Sequence, residues 1–204
     1  IEKTSTMPIH AYLSVTPIYA KPGPVGQYEW FSAILDLAKH PVVLYNVPSR
    51  TAIALNFEAI KRLTDHKNFY GIKEASGSTE TFKRYRELCP HSKLFSGDDA
   101  LLPEFSPLGA NGLISVASNA WPRETALFVK QCLSGTFTDH PLWKNAADSL
   151  FHLSNPVPIK ALLAQLGRIS SAELKPPLSL RENINLELLL KANQSVVDWF
   201  AQNH

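Results

Sequence analysis

The chain has little cysteine and little excess charge of either sign. Its 204 residues include two cysteines, Cys89 and Cys132, and 20 basic against 18 acidic residues, which gives a net charge of +2. The two cysteines share no close spacing with each other or with histidines, which argues against a disulfide framework and against a zinc site. Both are therefore expected to be free thiols.

Long apolar runs and clusters of basic residues are also lacking. Lysines and arginines are scattered along the chain, so no basic stripe is available to bind nucleic acid. No apolar run reaches the roughly 18 residues that crossing a bilayer requires, and residues 1–7 lack the basic-then-apolar order of a signal peptide. We expect a cytoplasmic protein that binds neither nucleic acid nor membranes.

The apolar residues that are present alternate between two spacings. Ala, Val, Ile, Leu, Met, Phe, Trp, Tyr and Cys together make up 45% of the chain, which is enough for a sizeable core. Short runs rich in Val, Ile, Leu and aromatics predict strands, and each is followed by a stretch with helical spacing. The predicted strands are residues 11–15, 42–47, 69–73, 93–96 and 113–116, and the predicted helices are residues 27–39, 56–65, 78–88, 100–108 and 123–133.

This βα rhythm predicts an α/β protein with a parallel sheet, either part of a (β/α)8 barrel or an open sheet. After residue 138 only helical spacing remains, with helices expected at 142–153, 158–166 and 185–203. We therefore predict a partial barrel over residues 1–137 and a helical region over residues 138–204. Five βα units are too few for a closed barrel, and residues 2–7 resemble the last turn of a preceding helix, so further units are expected upstream.

Polar residues at the predicted helix ends support these boundaries. Asn56, Ser78 and Asp99 are expected to cap helix starts, Pro122 suits a first helical turn, and Gly135 suits a stop. The adjacent acids at 98 and 99 would point apart on a strand-to-helix turn, which disfavours a metal pair. No metal and no cofactor are predicted.

A lysine closes the third predicted strand. Lys73 follows the apolar run 69–72, so its amine would project at a strand end, where α/β enzymes place their sites. Loss of water there disfavours the charged amine, and a neutral amine is a nucleophile that can form an imine. A solvated lysine at the edge of a strand is the commoner alternative.

Two further side chains are expected beside this amine. Tyr45 ends the preceding strand, so its phenol would face the same cavity and could relay protons to Lys73. Arg50 lies on a loop stiffened by Pro48, where a guanidinium can hold a carboxylate with two parallel hydrogen bonds. A tyrosine that only satisfies a carbonyl and an arginine paired with a surface acid are the structural alternatives.

Six ordered motifs resemble the dihydrodipicolinate synthase family, within the pyruvate-dependent class I aldolases that include N-acetylneuraminate lyase. Two of them carry the lysine, tyrosine and arginine: 44–51 (Leu-Tyr-Asn-Val-Pro-Ser-Arg-Thr) and 71–77 (Gly-Ile-Lys-Glu-Ala-Ser-Gly). The others are 15–19 (Val-Thr-Pro-Ile-Tyr), 96–99 (Ser-Gly-Asp-Asp), 112–116 (Gly-Leu-Ile-Ser-Val) and 155–160 (Asn-Pro-Val-Pro-Ile-Lys). They span nearly the whole chain in family order.

The resemblance implies a fold, an activity and a set of site residues. The fold is a (β/α)8 barrel with a C-terminal helical extension, and the activity is condensation of pyruvate with aspartate 4-semialdehyde in lysine and diaminopimelate biosynthesis. Lys73 would form the imine, Tyr45 would be the general acid and base, and Tyr19 would reach into a neighbouring subunit of a homodimer or homotetramer. Arg50, Ile114 and Gly97 would bind substrate.

The motifs also leave two differences and two alternatives. The family's Gly-Thr-Thr-Gly-Glu turn, whose threonine contacts the pyruvate carboxylate, is not in this sequence and is expected upstream. Ile18 stands where many members carry a tyrosine of the lysine-inhibitor site. The alternatives are an aldolase for N-acetylneuraminate or a 2-keto-3-deoxy acid, and a non-catalytic barrel fragment that serves as an interaction subunit. Pro-Ser-Arg-Thr after Val47 and Glu74-Ala-Ser-Gly after the lysine favour the semialdehyde.

Overall fold

The computed structural model of the chain describes residues 1–4 and 6–204. They form two compact units, one of Ile1–Asp98 with Glu104–Ile114 and one of Asp99–Pro103 with Ser115–His204. The predicted division at residues 137 and 138 follows a different criterion, the change from strand to helix, and stays a prediction.

A parallel sheet organises the first unit. Its strands are β1 (Tyr12–Val15), β2 (Val42–Asn46), β3 (Phe69–Glu74), β4 (Lys93–Ser96) and β5 (Gly112–Leu113), and they are paired in chain order. In the part of the chain that the structure describes, β1 and β5 are the two edges, so the sheet is open. The predicted α/β class and parallel sheet are confirmed.

The two faces of this sheet differ in burial. Leu44, Ile72 and Leu94 are neighbours across β2, β3 and β4 and are fully buried. The next row along the strands, Tyr45, Lys73 and Phe95, is only half-buried. Because side chains alternate between the faces of a strand, the two rows lie on opposite faces, and the face of Leu44, Ile72 and Leu94 is the more deeply buried.

Helices of the first unit follow the strands. They are α1 (Pro24–Leu37), α2 (Pro48–Thr51), α3 (Phe57–Leu63) and α4 (Thr79–Leu88). Asn56 accepts hydrogen bonds from the amides of Glu58 and Ala59, and Ser78 accepts one from Thr81. Both predicted N-caps are therefore confirmed.

The second unit is helical, with α6 (Pro122–Ser134), α7 (His140–Ser149), α8 (Val157–Gln165) and α9 (Leu186–Asn203). Pro122 begins α6, and Gly135 ends it in the left-handed conformation with φ 71°, as predicted. An aromatic cluster forms its core: the rings of Phe128 and Trp143 stack with centroids 3.9 Å apart, and Trp199 packs edge-on against Trp143 at 5.8 Å.

Several predicted elements differ in extent from those observed. The helix expected at 100–108 is the short α5 (Leu102–Phe105), because Pro103 and Pro107 have no amide hydrogen for a continued helix. The strand expected at 113–116 is only β5, and Ala117–Asn119 form a 3-10 turn. The expected helical turn at 2–7 includes Ser5, which lies outside the described residues, and Glu2–Thr4 form a 3-10 turn.

Among the residues that the structure describes, no helix combines the length and the apolar character that crossing a bilayer requires.

Candidate functional site

Lys73 and Tyr45 meet at the carboxyl ends of β3 and β2. The two residues are direct neighbours in the β2–β3 register, so their side chains leave the sheet on the same face. The Lys73 Nζ lies 4.1 Å from the centroid of the Tyr45 ring. The Lys73 amine therefore lies over the Tyr45 ring at the carboxyl end of the sheet.

Gly97 lies beside the stem of this lysine. It follows β4, and its amide donates to the Glu74 carbonyl at 2.7 Å. A β-carbon at this position would lie 2.7 Å from Lys73 Cε and 3.0 Å from Lys73 Cγ, well inside the roughly 3.5–4.0 Å of an ordinary carbon–carbon contact. The absence of a side chain at Gly97 thus leaves the space in which the lysine stem lies.

Ile114 occupies the corresponding position after β5. Its amide donates to the Ser96 carbonyl at 2.9 Å, which extends the β4–β5 pairing by one residue beyond the strand. Ile114 thus lies at the carboxyl end of the sheet, as do Gly97, Lys73 and Tyr45.

Burial is the main influence on the protonation of the Tyr45 phenol. Burial raises the pKa of Tyr45, the positive charge of Arg50 lowers it, and the negative charge of Asp98 raises it again. The net direction is upward from the usual value of 10.0, so at neutral pH the phenol holds a proton that it can donate.

Arg50 lies on a turn of helix that the sequence did not predict. Pro48 begins α2, Arg50 is in its last turn, and the Arg50 amide donates to the Val47 carbonyl at 2.9 Å. Proline at the first helical position was the available signal for this turn. The guanidinium is exposed and close enough to act electrostatically on Tyr45, which leaves it accessible to an anionic ligand.

Tyr19 lies on the surface of the molecule. Its side chain is 91% exposed, and its backbone has a φ of 70°, a conformation that costs roughly 1–3 kcal/mol for a non-glycine residue. Neighbouring Ile18 is 67% exposed. This turn after β1 thus presents two large side chains to the solvent.

Two buried polar residues that the sequence analysis did not assign lie directly behind the pair. Asn46 and Glu74 are register neighbours one residue beyond Tyr45 and Lys73, and both are 0% exposed. Asn46 Nδ2 donates to Glu74 Oε2 at 2.6 Å. Burial raises the pKa of the Glu74 carboxyl, and hydrogen bonds from Ser76 and Asn46 oppose that rise. Alternation along the strands was the signal for their buried position.

Asp99 was expected to cap the start of the following helix, but its carboxylate binds a segment further along the chain. Its carboxylate accepts hydrogen bonds from the Ser115 hydroxyl and from the amides of Val116 and Ala117, the latter two at 2.9 and 3.2 Å. It thereby holds the start of the 3-10 turn Ala117–Asn119. In the residues that the structure describes, no three His, Cys, Asp or Glu side chains are grouped as metal ligands would be.

Comparison with known proteins gives a consistent family. The sequence model of the dihydrodipicolinate synthetase family matches residues 2–194. A 4-hydroxy-tetrahydrodipicolinate synthase of Francisella philomiragia is 45% identical over 98% of this chain and 69% of its own length. One from Wolbachia pipientis subsp. Culex pipiens is 42% identical over 95% of this chain, which spans only 66% of that relative.

A solved structure agrees with these sequences. The chloride-inhibited dihydrodipicolinate synthase from Acinetobacter baumannii, complexed with pyruvate, superposes with a TM-score of 0.85 at 32% identity, over 93% of this chain and 67% of that one. The structure is that of an α/β protein whose parallel sheet carries a lysine, Lys73, at its carboxyl end. The chain belongs to the dihydrodipicolinate synthetase family.

Proposed function

We propose that this chain carries the site of a class I aldolase that condenses pyruvate with aspartate 4-semialdehyde to give 4-hydroxy-tetrahydrodipicolinate, in lysine and diaminopimelate biosynthesis. The observation that carries the proposal is the position of Lys73 Nζ, 4.1 Å from the Tyr45 ring at the carboxyl end of the sheet. Relatives with this activity in their names, at 42% and 45% identity, support it.

The reaction begins with attack of the neutral Lys73 amine on the keto carbon of pyruvate, which gives a carbinolamine. The protonated phenol of Tyr45 then donates its proton to the leaving hydroxyl, and water departs as the imine forms. The Tyr45 phenolate then takes a methyl proton, which converts the imine to an enamine. The enamine carbon attacks the aldehyde carbon of the semialdehyde, and the aldehyde oxygen takes the proton from Tyr45 to become a hydroxyl. The amine of that substrate then attacks the imine carbon, which closes the ring, and the bond from that carbon to Lys73 Nζ breaks to release the lysine as a free amine.

The other predicted residues take binding roles in this proposal. Arg50 holds the carboxylate of the semialdehyde through its exposed guanidinium. Ile114 and Gly97, at the ends of β5 and β4, line the pyruvate pocket beside the lysine stem.

Tyr19 acts across a subunit boundary in this proposal. A side chain that is 91% exposed on a strained turn is suited to enter the site of a second copy of the chain. The catalytic unit is then a homodimer, alone or within a homotetramer.

The open sheet corresponds to consecutive strands of a (β/α)8 barrel in this proposal. Support comes from its chain-order parallel pairing, which leaves β1 and β5 as edges among the described residues, and from barrel relatives of which this chain spans about two thirds. Further βα units pairing with those edges would close the barrel.

Trapping with borohydride tests the proposal. The encoded protein is incubated with pyruvate and sodium borohydride, and the modified lysine is located by mass spectrometry. We expect a reduced pyruvate adduct on Lys73, no adduct in Lys73→Arg, and an unchanged adduct in Lys83→Arg, which alters an exposed lysine of α4. A folded protein without an adduct would favour the non-catalytic alternative.

Substrate turnover then separates the two aldolase classes. Product formation from pyruvate and aspartate 4-semialdehyde is compared with cleavage of N-acetylneuraminate and of a 2-keto-3-deoxy acid. Faster turnover of a sugar acid would replace the proposed substrate while leaving the Lys73 imine intact.

A further inference from the structure

Glu74 and Asn46 form a hydrogen-bonded network on the face of the sheet opposite the amine. Glu74 Oε2 accepts from Asn46 Nδ2 at 2.6 Å, and Glu74 Oε1 accepts from the Ser76 amide at 2.6 Å. Asn46 Oδ1 accepts from the Leu55 amide at 2.9 Å. Both carboxylate oxygens of Glu74 and the side-chain amide oxygen of Asn46 thus each accept a hydrogen bond.

The network continues into the helical layer. The Leu55 carbonyl accepts from the hydroxyl of Tyr85 on α4 at 2.7 Å, and Tyr85 is fully buried. Burial raises the pKa of the Tyr85 phenol, and the nearby negative charge of Glu74 raises it further. Hydrogen bonds therefore tie the ends of β2 and β3 to one another, to the segment before α3 and to α4.

The Asn46–Glu74 network lies next to Lys73 and Tyr45 along the two strands, which couples it to the amine site. Asn46 and Glu74 directly follow Tyr45 and Lys73, and both pairs are register neighbours. The Asn46 carbonyl also accepts from the Ala75 amide at 2.9 Å. The bond from Asn46 to Glu74 therefore fixes the separation of the two strand ends one residue away from the amine and the phenol.

We infer that Asn46 and Glu74 are a buried positioning pair that holds Lys73 and Tyr45 at the separation and orientation needed for imine formation. This inference rests on the proposed function. Neither residue contacts the reacting atoms in it, since both side chains lie on the helix-covered face.

Chemical complementarity makes the pair testable by exchange. The groups that meet the Glu74 carboxylate act on it as donors: the Asn46 amide, the Ser76 backbone amide and the Ser76 hydroxyl. In Glu74→Gln, one of these donors must face the new NH2 group. Rotating the Asn46 amide does not help, because its NH2 would then face the Leu55 amide hydrogen.

The double variant Asn46→Asp/Glu74→Gln restores every bond. Asp at 46 accepts from the Leu55 amide and from the Gln NH2, and the Gln carbonyl accepts from the Ser76 amide. Net charge and side-chain size are kept. In Asn46→Asp alone, a carboxylate oxygen replaces Asn46 Nδ2, which lies 2.6 Å from Glu74 Oε2. Two carboxylates would then face each other, so this variant should disturb the strand ends as Glu74→Gln does.

Asn68→Asp is the matched control. Asn68 precedes β3 at the opposite end of the same strand pair, and its Nδ2 donates to the carbonyls of Leu35 and Ala38 at 2.9 and 2.8 Å. A carboxylate there would face two carbonyl oxygens. This amide-to-carboxylate change should lower the Tm without altering the geometry at Lys73.

The measurements are the rate of borohydride-trapped imine formation on Lys73 at saturating pyruvate, kcat and KM for pyruvate, and the Tm of each variant of the encoded protein. A displacement of about 1 Å at reacting groups costs about 100-fold in rate. We expect losses of that order in trapping rate and kcat for each single variant, with a smaller change in KM, and recovery of most of the rate in the double variant.

Three results would overturn the inference while leaving the proposed function intact, each with a wild-type protein that forms the adduct. The first is a wild-type trapping rate in folded Glu74→Gln. The second is a folded double variant as slow as the single variants. The third is an equal loss of trapping rate in Asn68→Asp. A folded wild-type protein that forms no adduct would overturn both.

Discussion

Replacing Gly97 by alanine should displace the stem of Lys73. The added methyl carbon would lie 2.7 Å from Lys73 Cε, 2.9 Å from Ala75 Cβ and 3.0 Å from Lys73 Cγ. An ordinary carbon–carbon contact is about 3.5–4.0 Å, so the stem must move by roughly 1 Å. The Lys73 stem yields because its side chain is flexible, whereas Ala75 Cβ is fixed to the backbone, so the segment after β3 must also shift by a few tenths of an ångström.

Two magnitudes follow from this displacement. Moving the lysine off its rotamer costs about 0.5–1.5 kcal/mol, and overpacking costs about 1–3 kcal/mol, so Gly97→Ala should remain folded with a modestly lower free energy of unfolding. A misplacement of about 1 Å at the reacting amine lowers the rate by about 100-fold. We therefore expect the imine-trapping rate to fall far more than stability does.

Borohydride trapping with pyruvate and thermal unfolding, measured on the same samples, check this expectation. Gly23→Ala is the control, since a β-carbon at Gly23 would meet nothing within 4 Å and its φ of −69° suits alanine. As Gly23 precedes α1, its replacement should cost under about 1 kcal/mol and leave trapping unchanged. Gly97→Ala that traps pyruvate at the wild-type rate would refute the steric reasoning.

Further substitutions and labels test the remaining roles. Tyr45→Phe keeps the ring near the Lys73 amine but removes the proton donor, so trapping should slow by about 10²–10⁴-fold, and an unchanged rate would exclude Tyr45 as the acid. Arg50→Gln should raise KM for the semialdehyde about tenfold or more, by loss of a charged hydrogen bond, with pyruvate trapping retained; loss of trapping would contradict that assignment. Burial raises the pKa of Cys89 to about 11 and that of Cys132 to about 12, so both thiols are protonated at neutral pH. They should react with dithionitrobenzoate only after unfolding, and rapid labelling of the folded protein would contradict their burial.

The parts of the fold that the sequence predicted correctly depend on local signals. The strand Lys93–Ser96 has its predicted bounds, and the caps at Asn56 and Ser78 form the expected hydrogen bonds. Apolar runs and capping side chains act within a few residues, so they can be recognised without knowledge of the rest of the chain.

The errors lie where a distant residue decides the local structure. The apolar run after Gly112 predicted a strand through residue 116, but Asp99 accepts the amides of Val116 and Ala117 and so holds the start of a turn. That interaction joins residues 17 and 18 positions apart. Spacing along the sequence contains no information about it. The short α5 is an error of another kind, because Pro103 and the following Pro107 were local signals that could have predicted it.

The candidate site divides in the same way between its two faces. Lys73 and Tyr45 were recognisable because a polar side chain at the end of an apolar strand has a chemical reason to be there. Alternation then requires that their successors, Glu74 and Asn46, lie on the covered face. A carboxylate buried there is costly unless donors surround it, and Asn46, its register neighbour, supplies one at 2.6 Å.

Which residue would be that neighbour depends on the β2–β3 register, which the sequence left undetermined because β3 carries an extra residue, Tyr70, between the partners of Val42 and Val43. The amine and phenol are therefore aligned by a register that only the folded sheet reveals, and the buried pair fixes that same register from behind.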